Sequence, residues 1–199
     1  MTAGIIILIV IIALIVIWLI ATYNRLVRQR NEVKNAWSQI DVQLQRRYDL
    51  IPNLIETVKG YMQYEKSTLE AVINARNTAQ TARDELNKMG GPTGENASLA
   101  SLMKAESALK SSLGSIFALM ENYPQLRATE NMQKLQEELT ATENRVAFSR
   151  QAYNDSVLTY NTSQQQFPSN IVAKTFGHHP TDLFAVDNPD AKRSVKVSF

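Results

Sequence analysis

The chain has no cysteine among its 199 residues, and its formal net charge is only +2. The absence of cysteine excludes disulfide bonds, thiolate nucleophiles and thiolate-bound metals, although it leaves the redox compartment open. The small net charge gives no indication of a nucleic-acid partner. Glycine-rich phosphate loops, serine nucleophile elbows and His-Glu zinc motifs are also missing, so the sequence carries none of these common signatures of catalysis.

We therefore expect no enzyme activity and no cofactor, and the remaining titratable groups have simple interpretations. Carboxylate pairs such as Glu137-Glu138 lie in charged helical stretches, where solvated faces are typical. His178-His179 with Asp182 is a candidate metal site, but adjacent histidines on an irregular chain do not easily face one ion, and a metal site needs supporting partners. An exposed turn is the favoured interpretation of the two histidines.

One long apolar run stands at the N-terminus. Residues 3–21 contain no charge and nine isoleucines. Because ~20 apolar helical residues cross a hydrocarbon core of ~30 Å, we predict a retained, single-pass transmembrane anchor over residues 1–24. A cleaved signal peptide is the alternative, and it needs basic residues before the run and small residues at a cleavage site. Only two residues precede the run, and residues 21–23 make a poor cleavage site.

Basic residues follow the apolar run and none precedes it. Arg25, Arg28, Arg30 and Lys34 lie just after the run. By the positive-inside rule, this asymmetry predicts that residues 25–199 lie in the cytoplasm. Setting the topology and keeping the helix soluble account for these cations. Contact with anionic lipid head groups, at ~1 kcal/mol per cation, is the alternative interpretation.

Apolar residues of the soluble part recur at helical steps of three and four, as in a bundle seam. The first helix continues from the anchor, and Pro52 is expected to kink or end it near residues 49–51, because the residue before a proline is pushed away from the α region. The later predicted segments are a second helix to about Asn87, a glycine-rich linker at 89–94, a third helix from 96–98 to 122–124, and a fourth from Thr129 to 167, which Pro168 stops.

These segments predict an all-α protein in which the N-terminal transmembrane helix continues into a long antiparallel four-helix up-and-down bundle. The bundle covers residues 25–168, and an irregular C-terminal tail covers residues 169–199. Residues 194–199 alternate between polar and apolar side chains and are a candidate short strand.

Two Tyr-Asn pairs stand seven residues apart in the fourth predicted helix, at Tyr153-Asn154 and Tyr160-Asn161. Residues seven apart share one helix face, and asparagine is a poor residue for a helix interior. We interpret the pairs as a buried ladder of amides and phenols that crosses to the first helix, at Asn53 or Arg46, and sets the helix register. A surface for a ligand or partner is the alternative.

A pair of arginines, Arg46-Arg47, lies between Asp41 and Asp49 in the first predicted helix. Local ion pairing with these two aspartates is the favoured interpretation. An anion-binding site is the alternative.

Two blocks of sequence resemble a known family. The first covers residues 23–27, 37–54, 58–61 and 65–69, and the second covers residues 143–157, 160–161 and 167–170. Together they strongly resemble the LemA family of bacterial membrane proteins over nearly the whole chain. The family-motif positions to which we assign a structural role are Tyr23, Asn24, Asp41, Arg46, Arg47, Asp49, Pro52, Asn53, Tyr153, Asn154, Tyr160, Asn161, Phe167 and Pro168.

The resemblance implies an N-terminal anchor in the bacterial inner membrane and an antiparallel bundle of long helices. It implies no reaction, because the family has no established biochemical activity. Relatives are linked to membrane zinc proteases, magnetosome membranes and envelope processes. We therefore expect a membrane-anchored scaffold or adaptor, with the lipid bilayer, a homo-oligomer and an envelope or membrane-protease protein as partners. The alternative is a ligand-binding or sensor module that uses the polar-lined bundle.

Overall fold

A computed structural model describes residues 2–62, 64–94 and 97–184. Within these ranges the regular structure is entirely helical, which confirms the all-α prediction. The candidate strand at 194–199 lies outside the described residues. The helices are α1 (Thr2–Lys59), α2 (Lys66–Lys88), α3 (Ala100–Met120), α4 (Pro124–Arg127), α5 (Glu130–Gln165) and α6 (Ser169–Thr175), with a 3-10 turn at Gly91–Thr93.

Helix α1 is continuous over 58 residues and joins the apolar run to the soluble part. The apolar run has a mean hydropathy of 3.5, and no residue of that window is buried by the rest of the chain. Burial in α1 begins at Thr22 and continues through Leu26 and Val33. Residues 22–59 extend ~57 Å beyond the run, at 1.5 Å per residue. Length, composition and lack of covering make the first part of α1 a candidate membrane span.

Pro52 lies inside α1, so of the two predicted effects near residues 49–51, a kink or an end of the first helix, the end does not occur. A proline in a helix lacks the N–H that would bond the carbonyl four residues earlier, which here belongs to Tyr48. Arg76 of α2 supplies a donor instead, with its Nε 3.1 Å from the Tyr48 carbonyl oxygen. The break comes later, between Lys59 and Lys66, so α2 begins later than predicted.

The later long helices agree with the predicted ones to within a few residues, but two short helices were not predicted. Helix α3 ends at Met120, shortly before Pro124, and α5 runs from Glu130 to Gln165, shortly before Pro168. The first short helix is α4, which lies between α3 and α5. The second is α6, since residues 169–175 form a helix where an irregular tail was predicted.

The four long helices contribute to one buried apolar core, which extends from Val33 to Val58 along α1. Contacts of α1 with α5 run in opposite order along the two helices, since Arg25 bonds Ser169 just beyond the end of α5, whereas Arg46 bonds Glu138. Its contacts with α2 do the same. The side chains that bridge α1 and α2 are, in order along α1, Trp37 with Asn87, Asp41 with Asn87 and Arg83, and Gln45 with Arg83.

Candidate functional site

A cluster of charged side chains lies inside the core, where α1, α3 and α5 meet. Arg47 and Glu106 have side chains only 4% and 3% exposed, and their charged groups contact each other. Arg47 Nη1 also donates to Glu143 Oε2 at 2.8 Å, and Tyr48 Oη donates to Glu106 Oε1 at 2.5 Å. Arg47 therefore reaches glutamates on both α3 and α5, and Tyr48 bonds the same glutamate of α3. We call Arg47, Tyr48, Glu106, Glu143 and Arg150 the buried charge cluster.

Two cations at the edge of the core, Arg150 of the cluster and the neighbouring Lys110, pair with the two glutamates of the cluster. Arg150 Nη2 lies 3.5 Å from Glu106 Oε2, and Lys110 Nζ donates to Glu143 Oε1 at 2.8 Å. Burial lowers the pKa of Arg150 to about 10, and the nearby Arg47 adds to that effect. Because 10 is still well above neutral pH, Arg150 remains a cation.

Two further members have altered proton affinity. Burial raises the pKa of Tyr48 to about 12, so the phenol keeps its proton and remains a hydrogen-bond donor at neutral pH. For Glu143, burial favours the neutral form, but the hydrogen bond from Lys110 and the charge of Arg47 outweigh it, and the pKa is lowered. The lowered pKa keeps Glu143 ionised beside its cations, and the bonds of the cluster join α1 to both α3 and α5.

The prediction of local pairing for Arg46 and Arg47 is wrong, because both arginines pair with glutamates on other helices. Arg46 bonds Glu138 of α5 at 3.0 Å on the surface. Asp41 lies five residues before Arg46 and therefore ~140° away around the helix. Asp41 instead accepts a hydrogen bond from Asn87 of α2 and forms an ion pair with Arg83 of the same helix.

The Tyr-Asn pairs of α5 bind the segment that follows α6, which we call the docked segment (residues 178–184). Asn161 accepts the Thr181 N–H at 3.0 Å and donates to the Thr181 carbonyl at 2.9 Å. Asn154 does the same for Phe184, at 2.7 and 3.0 Å. Each amide thereby satisfies both backbone groups of one residue, as a neighbouring strand would.

The spacing of the two asparagines matches an extended chain. Seven helical residues rise ~10.5 Å, and three residues of a strand advance ~10 Å. Phe184 is buried in the main core, and the guanidinium carbon of Arg150 lies 4.1 Å from its ring centroid. The expected crossing of the ladder to Asn53 or Arg46 is wrong, since both of these side chains are exposed and the ladder binds the docked segment.

The two phenols of the pairs also hold the docked segment. Tyr153 Oη donates to the Asp182 carbonyl at 2.9 Å, and Tyr160 Oη lies 2.8 Å from His178 Nδ1. Burial raises the pKa of both phenols, so each phenol remains a donor. Burial, together with the charges of Arg30 and His179, lowers the pKa of His178, which favours the neutral ring that accepts from Tyr160.

The histidines therefore differ from the predicted exposed turn, because His178 is buried and only His179 is exposed. Across the described ranges, no three His, Asp or Glu side chains lie close enough together to hold a metal ion.

The remaining predicted positions divide into two groups. Arg25 Nη2 donates to Ser169 Oγ at 3.1 Å, and Arg30 Nη2 donates to the Thr93 carbonyl at 2.9 Å, so two of the four basic residues that follow the apolar run contribute to the fold. Apart from Arg46, described above, the other predicted positions that are exposed are Tyr23, Asn24, Arg28, Lys34, Asp49, Pro52, Asn53 and Phe167.

An uncovered apolar helix that continues into the core of a helical domain defines the class as a membrane-associated α-helical protein. The chain belongs to the LemA family, whose profile matches residues 36–199.

Curated relatives agree with this class. Magnetosome protein MamQ of Magnetospirillum gryphiswaldense is 24% identical over 178 residues, which cover 83% of this chain and 65% of that protein. Magnetosome protein MamQ 2 of Paramagnetospirillum magneticum is 26% identical over 178 residues, which again cover 83% of this chain and 65% of that protein. Protein LemA of Metamycoplasma hominis is 23% identical over 161 residues, which cover 81% of this chain and 68% of that protein. The chain thus spans about 65% of the length of the magnetosome proteins.

Proposed function

We propose that the protein is a non-enzymatic scaffold of the bacterial inner membrane, which holds an antiparallel up-and-down four-helix bundle at a set height above the bilayer. The observation that carries the proposal is the continuity of α1. The uncovered apolar run and the helix that contributes Leu44, Tyr48 and Leu54 to the core are parts of one helix. An anchor joined to its domain through an unbroken helix fixes the position of that domain.

The opposite directions of α1 relative to α2 and to α5 support the antiparallel arrangement. The buried charge cluster supports it as well, because a set of paired charges that joins three helices penalises other registers of those helices. The same pairing argues against the alternative of a ligand-binding or sensor module inside the bundle, since the core charges already bind one another.

The surface best suited to a partner lies at the end of the bundle opposite the anchor. A groove between α1 and α2 there is lined by apolar side chains, including Ile55, Leu69 and Ile73, and by charged side chains. The Tyr64 side chain beside it is 97% exposed. The scaffold presents this groove to an envelope protein or a membrane protease.

Self-assembly is the second part of the proposal. Anchoring confines every copy to a plane with the same orientation, which raises the effective concentration without new contacts. The anchor has a single glycine, so close packing of small residues between anchors is not the driving force. The flanks of the bundle form the contacts of a homo-oligomer, and mass photometry of the full chain at increasing concentration measures its size.

Membrane extraction tests the anchor. Ile11→Arg introduces a charge at the middle of the span, with an insertion cost of ~2.5 to 3.5 kcal/mol, and moves the chain from the membrane fraction to a carbonate-soluble fraction. Val42→Arg is the matched control, because Val42 is an exposed apolar residue of the same helix outside the span. Equal extraction of the two variants, or a wild-type chain that washes off, contradicts the anchor.

Sidedness is tested in the same cysteine-free background. A cysteine at Gln80 stays unlabelled by an impermeant reagent in intact cells if the bundle faces the cytoplasm. Labelling there would place the bundle outside the inner membrane.

A further inference from the structure

Helix α6 packs against α1 directly above the apolar run. Val172 and Ala173 of α6 form a small buried cluster with Leu26, separate from the main core. The bond from Arg25 to Ser169 ties the start of α6 to the same part of α1. Leu26 is only five residues beyond the run, which is ~8 Å along the helix. The fold therefore holds α6 at the anchor end of the bundle.

One residue of α6 and two residues that flank it are large, apolar and exposed. Phe167, Ile171 and Phe176 are 81%, 57% and 57% exposed. The ring of Tyr23, which is itself partly exposed, lies 4.8 Å from the Phe176 ring between centroids. We call these four residues the apolar rim. Lys174 of α6 is exposed in the same stretch of chain, and exposed aromatic and aliphatic side chains combined with cations suit the membrane interface.

The anchor sets the level of the bilayer relative to the apolar rim. Residues 3–21 span ~28 Å as a helix, which matches a hydrocarbon core of ~30 Å. Tyr23 then lies ~3 Å beyond the hydrocarbon, in the layer where tyrosine and tryptophan are enriched. Leu19 is 37% exposed, whereas Leu8 and Leu14 are 58% and 61% exposed. Ile20 in the same turn is still 57% exposed, so the folded part covers at most one side of the last turn of the apolar run.

We propose that the apolar rim is a second membrane contact, seated at the boundary between lipid head groups and acyl chains. This inference rests on the proposed function, because it requires α1 to span the bilayer. Arg25 and Arg28 follow Tyr23 in α1, Lys174 follows Ile171 in α6, and all three are exposed; such cations attract anionic head groups. With α6 seated in the interface, the bundle has two points of attachment and cannot turn freely about the axis of its anchor.

Single cysteines in the cysteine-free chain, each labelled with the environment-sensitive fluorophore NBD, test the seating of the rim. Phe176→Cys and Ile171→Cys report on the rim. Phe148→Cys is the matched control. Phe148 is 75% exposed, but it lies nineteen residues before Phe167, which is ~28 Å along the axis of α5. Ile12→Cys reports on the anchor. The full chain is reconstituted in vesicles of phosphatidylcholine and phosphatidylglycerol, and lipids spin-labelled near the head group or deep in the acyl chain serve as quenchers, with iodide in the water.

The rim labels are expected to emit at shorter wavelength than the control label, to be quenched by the shallow spin-labelled lipid and to resist iodide. The control label is expected to respond to iodide alone. Rim labels that iodide quenches as strongly as the control overturn the inference. Protection from iodide that disappears when the protein is diluted in lipid indicates that a second copy covers the rim, and it overturns the inference as well.

The anchor label separates failure of this inference from failure of the proposed function. If the deep spin-labelled lipid quenches the label at position 12 while the rim labels stay in water, only the second membrane contact is refuted. If the deep lipid does not quench that label, α1 does not span the bilayer, and the membrane scaffold is refuted together with the rim.

Discussion

Replacing Glu106 by glutamine removes one negative charge from the buried charge cluster while keeping the size and one acceptor oxygen of the side chain. Arg47 would then keep one anionic partner, Glu143, whose side chain is 41% exposed. Breaking a buried pair by removing one member commonly costs 3–5 kcal/mol, because a charge stays buried without compensation. We expect the lower end of this range, about 3 kcal/mol of unfolding free energy, since Glu143 still compensates Arg47 in part.

A matched control exists on the surface, in a pair that joins α1 to α5. Glu138→Gln breaks the pair with Arg46, in which both side chains are about half exposed. Exposed pairs contribute ~0–1 kcal/mol, so this variant should remain close to the wild-type protein. The double variant Glu106→Gln with Arg47→Met removes both buried charges and should recover part of the loss, because replacement of a whole buried pair is often neutral.

Urea denaturation of the full chain in mild detergent, followed by circular dichroism, measures these differences. We expect Glu106→Gln to be clearly less stable than Glu138→Gln. We also expect the double variant to lose less unfolding free energy than its two single variants lose together. If the buried and surface variants lose the same free energy, the cluster does not hold a charge that needs compensation. If the double variant is strictly additive, Arg47 and Glu106 do not interact.

The docked segment supplies the remaining predictions. Asn161→Ala removes both hydrogen bonds to Thr181, which are worth ~1 kcal/mol each. Amide hydrogen exchange at residues 178–184 should therefore accelerate about 30-fold. The control Asn53→Ala, at an exposed position, should leave that exchange unchanged. The lowered pKa of His178 in the docked state means that its contribution is complete above the ordinary value of ~6.5 and is lost as the pH falls below it. Exchange protection, corrected for the intrinsic rate, should therefore drop between neutral and acidic pH, and His178→Asn, which keeps an acceptor near the Nδ1 position but does not titrate, should remove that drop.

Sequence periodicity was sufficient for the helical class because each long helix buries a stripe with a period near 3.6. Periodicity and the local preference of proline did not predict where the first helix ends, because a tertiary contact compensates for the proline. The carbonyl that Pro52 leaves without a donor is bonded by Arg76, and nothing local to the proline indicates that an arginine from the next helix will arrive there. The tendency of proline to end a helix is a local preference of the chain, and a side chain from another helix can overcome it.

The buried charge cluster left a clear trace in the sequence. Glu106 falls at helical spacing between Leu102 and Leu109, on the face of α3 that also carries Leu113 and is buried along its length. A carboxylate on such a face must have a partner, because an unpaired buried charge costs several kcal/mol. The pattern therefore indicates a buried pair and leaves only the identity of the cation to the structure.

The asparagines of α5 carry a different kind of information. An asparagine in a helix interior that is half covered must bind something, and two of them seven residues apart predict a partner with a repeat of ~10 Å along the helix axis. A second helix offers that repeat through its side chains, which is the ladder expected from the sequence. An extended backbone offers it through its own N–H and C=O groups every three residues, and these groups are present whatever the side chains are. The docked segment therefore needed no recognisable side-chain pattern of its own, and its partner could be inferred only from the spacing on α5.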